Sequence, residues 1–301
     1  MTERLHLAER DYEADLLPGT GGSIAALRWR HPAHGWTDLM RPFVDLEEPG
    51  SRPENVLATA SFPLTPYANR VRDGRFTFRG RSVVLPPPAI GKHALHGHGW
   101  LRPWQVGKTG PNAAVLELRH APDEWPYSYD IKQEFEVSAD GFVVRMAATN
   151  TGAEAMPYGF GMHPYFPRTP QCHMQAAVQA FWEVDAEVMP VRHTTLPPGL
   201  DPCGGLAVDG VVCDNVFTGW DGRAAITWPE RGTRLRLSAS PVFGTLYLYV
   251  PAGETYFCLE PASHVTDALN RAPAGAADTG LIVLDPGATV SAEVTFTAEP
   301  V

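Results

Sequence analysis

The chain's punctuation constrains its fold most. It holds 28 glycines and 29 prolines among 301 residues, spread from one end to the other. Proline removes a backbone donor and both residues interrupt helical runs, so long helices have little room. The stretches between these breaks are short and alternate in polarity. Phe142, Val144, Met146 and Ala148 share one face of an extended segment, as do Leu235, Leu237 and Ala239, and again Ala292, Val294 and Phe296. Period two is the signature of a half-buried strand. Asp-Gly pairs at 73–74, 140–141 and 221–222 suit the connections. Leu5–Leu17 is the best helix candidate, with weak periodicity. No fixed-period repeat argues for a propeller, and no linker or composition shift divides the chain. The expectation is one all-β domain over residues 1–301, a large antiparallel β-sandwich whose broad concave sheet suits a sugar.

Composition removes several function classes. The formal net charge is −10, which disfavours nucleic acid and anionic membrane as partners. Cys172, Cys203, Cys213 and Cys258 form no CxxC pair and read as buried free thiols. No apolar run approaches the ~20 residues of a membrane-spanning helix. The charged N-terminal segment lacks the apolar core of a secretion signal, so the expected location is cytoplasmic. There is no G-x-S-x-G elbow, no phosphate-binding G-x-x-x-x-G-K-[ST] loop and no H-E-x-x-H. GFGMHP lacks the third glycine of a dinucleotide fingerprint.

Five segments could carry chemistry. HALHGHGW holds His93, His96 and His98. On a strand, His96 and His98 would point to the same side. No carboxylate follows closely to complete a metal site, so no metal is expected there. In PYGFGMHPYFPR, alternation places Gly159, Gly161, His163 and Tyr165 on one face and Phe160, Met162, Pro164 and Phe166 on the other. Glycines in strands mark a close approach by a ligand or by another backbone. His163 is then either a site residue beyond a cleared floor or a satisfied structural histidine. In TYFCLEP, Tyr256, Cys258 and Glu260 share a face. A carboxylate flanked by apolar surface has its pKa raised, which suits a general base; a strand-end glutamate turned to solvent is the other reading. Asp214 begins a turn-like Asp-Asn pair. Arg70, Arg72, Arg75, Arg79 and Arg81 crowd one segment. Either all decorate a solvated hairpin or Arg70 turns inward to a ligand oxygen, and spacing does not separate these.

PYANRVRDGRFTFRGR, LHGHGW, NTGAEAMPYGFGMHPYF, CDNVFTGW, FCLEPASHVTDALN and LDPGATVSAEVTF occur here in that order. In this the chain resembles the aldose 1-epimerases, the galactose mutarotases, over roughly residues 20–298. The resemblance implies the galactose mutarotase-like supersandwich and interconversion of the α and β anomers of an aldose, a small monosaccharide. It implies no metal and no organic cofactor. Glu260 matches the general base that takes the C1 hydroxyl proton, and His163 the acid that protonates the ring oxygen. His96 matches a sugar contact near that oxygen, Asn69 and Arg70 the Asn-Arg pair, and Asp214 a ligand of sugar hydroxyls. Many members carry LHGG where this chain has LHGH, so His98, with Trp100 and Trp104 after it, is expected beside the sugar. The expected substrate is unphosphorylated, and the chain a monomer or homodimer. A non-catalytic sugar-binding module and a hexose-phosphate mutarotase are the alternatives. A glycosidase would need a second acid opposite Glu260, with Asp214 the only candidate.

Overall fold

A computed structural model describes residues 4–43, 50–273, 275 and 278–301. Strands dominate, and their pairing is antiparallel throughout the named strands. The largest sheet has nine strands. Its centre runs Ala113–His120, Tyr129–Ser138, Gly141–Asn150, Thr289–Pro300, Thr233–Ala239 and Arg223–Trp228. The three alternating runs lie here as expected. Phe142, Val144, Met146 and Ala148 are buried, and so are Leu235, Leu237, Ala292, Val294 and Phe296. Each large side chain so buried contributes about 1.5–3 kcal/mol.

An eight-stranded sheet lies against the same core. Along it run Cys213–Thr218, Thr245–Val250 and Tyr256–Ala262, followed by the two short strands Gly161–Met162 and Pro63–Leu64. Its two faces go to different clusters. Leu246, Leu248, Val250, Phe257 and Leu259 join the main core. Val216, Tyr247 and Cys258 join a second cluster with Phe62, Trp100 and Tyr165. That second face carries the candidate site.

Leu5–Leu17 is a hairpin, Leu5–Glu9 and Tyr12–Leu17, rather than a helix. Arg10 at φ 50° makes the turn. The second strand pairs with Ser23–His31 and sends Tyr12, Ala14 and Leu16 into the core, so sheet pairing overrides the weak helical pattern. The Asp140-Gly141 turn closes a hairpin. Asp221-Gly222 instead carries the chain from the eight-stranded sheet to the nine-stranded one. Of the four thiols, Cys203 is exposed, not buried as expected. Among the described residues no helix is long and apolar enough to cross a membrane.

Candidate active site

Tyr158–Phe166 is three short strands rather than one. Met156–Tyr158 pairs with Ile282–Leu284, Gly161–Met162 sits between Tyr256–Ala262 and Pro63–Leu64, and Tyr165–Pro167 returns to Tyr256–Ala262. The division of faces survives the breaks: Phe160, Met162 and Phe166 fill the main core, while Tyr165 joins the second cluster. The glycines clear space for protein, not for a ligand. A Cβ on Gly159 would lie 2.0 Å from the His264 ring, and one on Gly161 would lie 2.7 Å from the Pro261 carbonyl oxygen.

His163 and Glu260 meet at the floor of a cleft of about 230 Å3. His163 Nε2 is 3.4 Å from Glu260 Oε1. The cleft falls below the ~300–1,000 Å3 of pockets for drug-sized ligands, leaving room for one small ring. Asn69, Arg70, His96 and Asp214 line it too. Leu57, Ile90, Leu95, Tyr165, Tyr249 and Tyr256 complete its wall. Alternation foreshadowed Tyr256, which shares its face with Glu260, and the register sets Tyr249 opposite Cys258 on that face. Leu57 and Ile90 lie outside strands and carry no periodic signal. A larger concavity of about 520 Å3, lined by Gln175, Asp221, Arg223 and Arg236 among others, contains no histidine.

The His163 ring is held by stacking. It lies between Phe62, at 4.5 Å, and Tyr165, at 4.8 Å, and Phe62 in turn stacks on Trp100. The Arg41 guanidinium sits 3.8 Å above the Tyr165 ring and closes the column. Nothing in the sequence marked Arg41. Burial pushes His163 down to about 3, with a smaller push from Arg41. Burial, and then Asp214, raise Glu260 well above the ordinary carboxylate range, while Arg70 opposes them. His163 Nδ1 and Glu260 Oε2 are buried without a hydrogen-bond partner in the protein.

The neighbouring donors are fixed by backbone. The Asn69 amide donates to His96 Nδ1 at 3.2 Å, which leaves the ring proton on Nε2. Burial, then His163 and Arg70, keep His96 well below its ordinary value and so neutral. Arg70 donates to Asp214 Oδ2 at 3.1 Å and to Asn69 Oδ1 at 3.2 Å. The other arginines of that segment go elsewhere: Arg72 towards Asp185 and Asp267, Arg79 over Phe78, Arg81 to Glu154.

Three residues expected beside the sugar do not line the cleft. Trp100 is 0% exposed, its Nε1 donating to the Gly97 carbonyl beneath Phe62. His98 turns to Tyr129, at 2.9 Å from its hydroxyl, and packs on His120. Trp104 is likewise buried and donates to the Gly99 carbonyl. His93 is structural, accepting from the Asp73 amide and bonding Glu187.

This is an antiparallel β-sandwich with a buried carboxylate–imidazole pair in a sugar-sized cleft. Residues 7–297 match the family described as aldose 1-epimerase, and the chain belongs to that family. The uncharacterized Escherichia coli (strain K12) protein YphB is 33% identical over 268 residues, 86% of this chain and 90% of that protein. A crystal structure from Escherichia coli K12, described as that of a candidate aldose 1-epimerase, is 30% identical with a TM-score of 0.87 over 99% of both chains. A galactose mutarotase-like protein from Clostridium acetobutylicum shares the fold, with a TM-score of 0.84 at 19% identity over 98% of this chain and 95% of its own.

Proposed function

We propose that the protein is an aldose 1-epimerase for an unphosphorylated aldose, with Glu260 and His163 as its proton-transfer pair. The observation that carries this reading is the 3.4 Å approach of the two groups at the cleft floor. Opening a cyclic hemiacetal moves one proton from the C1 hydroxyl and delivers one to the ring oxygen. Glu260 as carboxylate takes the first, and His163 as imidazolium gives the second, while the C1–ring oxygen bond breaks. The pair is then neutral on both sides and faces the open-chain aldehyde. Rotation about C1–C2 turns the other carbonyl face to the chain's hydroxyl. Closure runs the transfers backwards and restores carboxylate and imidazolium.

The pair thus carries one proton in two arrangements. Burial favours the neutral one, which matches the open-chain stage. The cyclic sugar must favour the charged one through hydrogen bonds made to it. Arg70 already pulls Glu260 towards carboxylate, and His96 Nε2–H supplies a neutral donor. Among the residues lining the cleft the one cationic side chain is Arg70, and Asp214 neutralises it. That balance supports a neutral sugar over a phosphorylated one.

Polarimetry or proton NMR on freshly dissolved α-anomers tests the reading. Equilibration should be accelerated for at least one unphosphorylated aldose and lost in Glu260→Gln. Acceleration with no sugar would point to a binding module, and full activity in Glu260→Gln would sink the assigned roles.

A further inference from the structure

We propose that His163, Cys258 and Glu260 form a site for one thiophilic divalent cation of the Zn2+ class, and that such a cation silences the protein by occupying the proton-transfer pair. One donor atom from each residue lies within 4.8 Å of the other two, and all three residues are buried. Among the described residues this is the one group of three or more His, Cys, Asp or Glu donors that converges in this way. Cys258 and Glu260 stand two apart on the strand Tyr256–Ala262 and project from the same face, with His163 brought to them from the neighbouring segment. Metal–ligand bonds of ~2.0–2.3 Å set tetrahedral donors roughly 3.3–3.8 Å apart, so these need draw in by at most about 1.5 Å.

A second observation points the same way. His163 and Glu260 are each more than nine-tenths buried, yet Nδ1 of one and Oε2 of the other have no partner in the protein. Buried polar atoms ordinarily find partners, and these two have none in the protein. Sulfur with imidazole and carboxylate selects Zn2+ or Cd2+ over Mg2+ or Ca2+, which prefer oxygen ligands. The cleft supplies an open fourth position for water, the pattern of three protein ligands and one exchangeable one. Cys258 binds as thiolate and releases its proton to solvent.

Binding itself does not depend on the acid–base reading; the silencing does. The test therefore has two readouts. In the full chain with Cys203→Ser, which removes the exposed thiol, one equivalent of Cd2+ should produce a thiolate-to-metal charge-transfer band. Adding Cys258→Ser should abolish that band. Zn2+ should inhibit mutarotation competitively with sugar. Losing even an outer partner costs a metal about 10–100-fold in affinity, so Cys258→Ser and Cys258→Ala should each raise the inhibition constant at least ~100-fold. Both variants should keep the uninhibited rate. No band in the Cys203→Ser protein, a band that survives Cys258→Ser, or unchanged Zn2+ inhibition in the Cys258 variants overturns the proposal. Should no sugar be turned over, the band still decides whether the site exists.

Discussion

Replacing Gly159 by alanine places a methyl group where the His264 ring lies. The added Cβ would be 2.0 Å from Cδ2 and 2.4 Å from Nε2 of that ring, and 3.0 Å from Ser263 Oγ. The Gly159 backbone is not left-handed, so the steric term stands alone. The ring cannot swing freely, because Nε2 accepts from the Ala68 amide at 3.0 Å and Nδ1 donates to the Val265 carbonyl at 2.9 Å. Overpacking a core costs about 1–3 kcal/mol. Pushing the ring aside also leaves the buried Ala68 amide unpaired, for about 1–3 kcal/mol more. Restricting the unfolded chain returns ~0.4–1 kcal/mol. The net loss is then roughly 2–5 kcal/mol, and at about 2 °C per kcal/mol for a chain of this size Tm should fall by ~4–10 °C. Thermal melts followed by circular dichroism measure this. Combining Gly159→Ala with His264→Ala should destabilise by about 1–3 kcal/mol less than the two singles together, since one ring sits at the origin of both effects. An unchanged Tm with a raised KM would refute the reasoning, because it would mean that the glycine clears space for the sugar.

Trp100→Ala should lower stability by about 3–5 kcal/mol, the penalty for emptying a buried aromatic site, and reduce kcat more than KM because it undercuts the Phe62–His163 stack; denaturant unfolding and initial rates check both, and a raised KM at unchanged stability would restore Trp100 as a sugar contact. Acid should destabilise the fold between about pH 6.5 and 3. His98 and His163 are held down to about 3, His264 to about 4 and His96 well below 6.5, all chiefly by burial, so the unfolded chain binds protons that the folded one refuses. Glu260, raised by burial, acts with the opposite sign: it holds a proton when folded, and its contribution fades as pH climbs above 4.5. Four histidines outweigh it, and guanidinium midpoints should fall steadily from pH 7 to 5. Arg41→Gln removes the cation over Tyr165, which should loosen the column by about 1–2 kcal/mol and move the His163 limb of the kcat/KM profile to higher pH.

Sequence reasoning succeeded wherever a residue's surroundings follow from its own strand. Phe142–Ala148 and Tyr256–Glu260 are regular, so alternation alone told which side each side chain takes, and it put Cys258 and Glu260 together. It failed where backbone conformation departs from the strand. His96 at φ 61° and Gly97 at φ 70° are consecutive left-handed residues. Gly97 has no choice, since a Cβ there would lie 2.1 Å from the Thr65 carbonyl oxygen. Two such residues cancel the period of two, and the pair that a strand would aim to one side is split: His96 goes to the cleft and His163, His98 to Tyr129 and His120. The partners of a site are a separate difficulty. Asp214 and Glu260 are far apart in the chain, and what joins them is the order of strands across the sheet, which no local pattern encodes; Arg41 and Leu57 reach the site from segments outside the strands. Two histidines spaced for a metal on an assumed strand therefore do not converge, whereas a cysteine and a glutamate spaced the same way on a real strand do, because the geometry belongs to the backbone and the residue spacing only reports it when the backbone is regular.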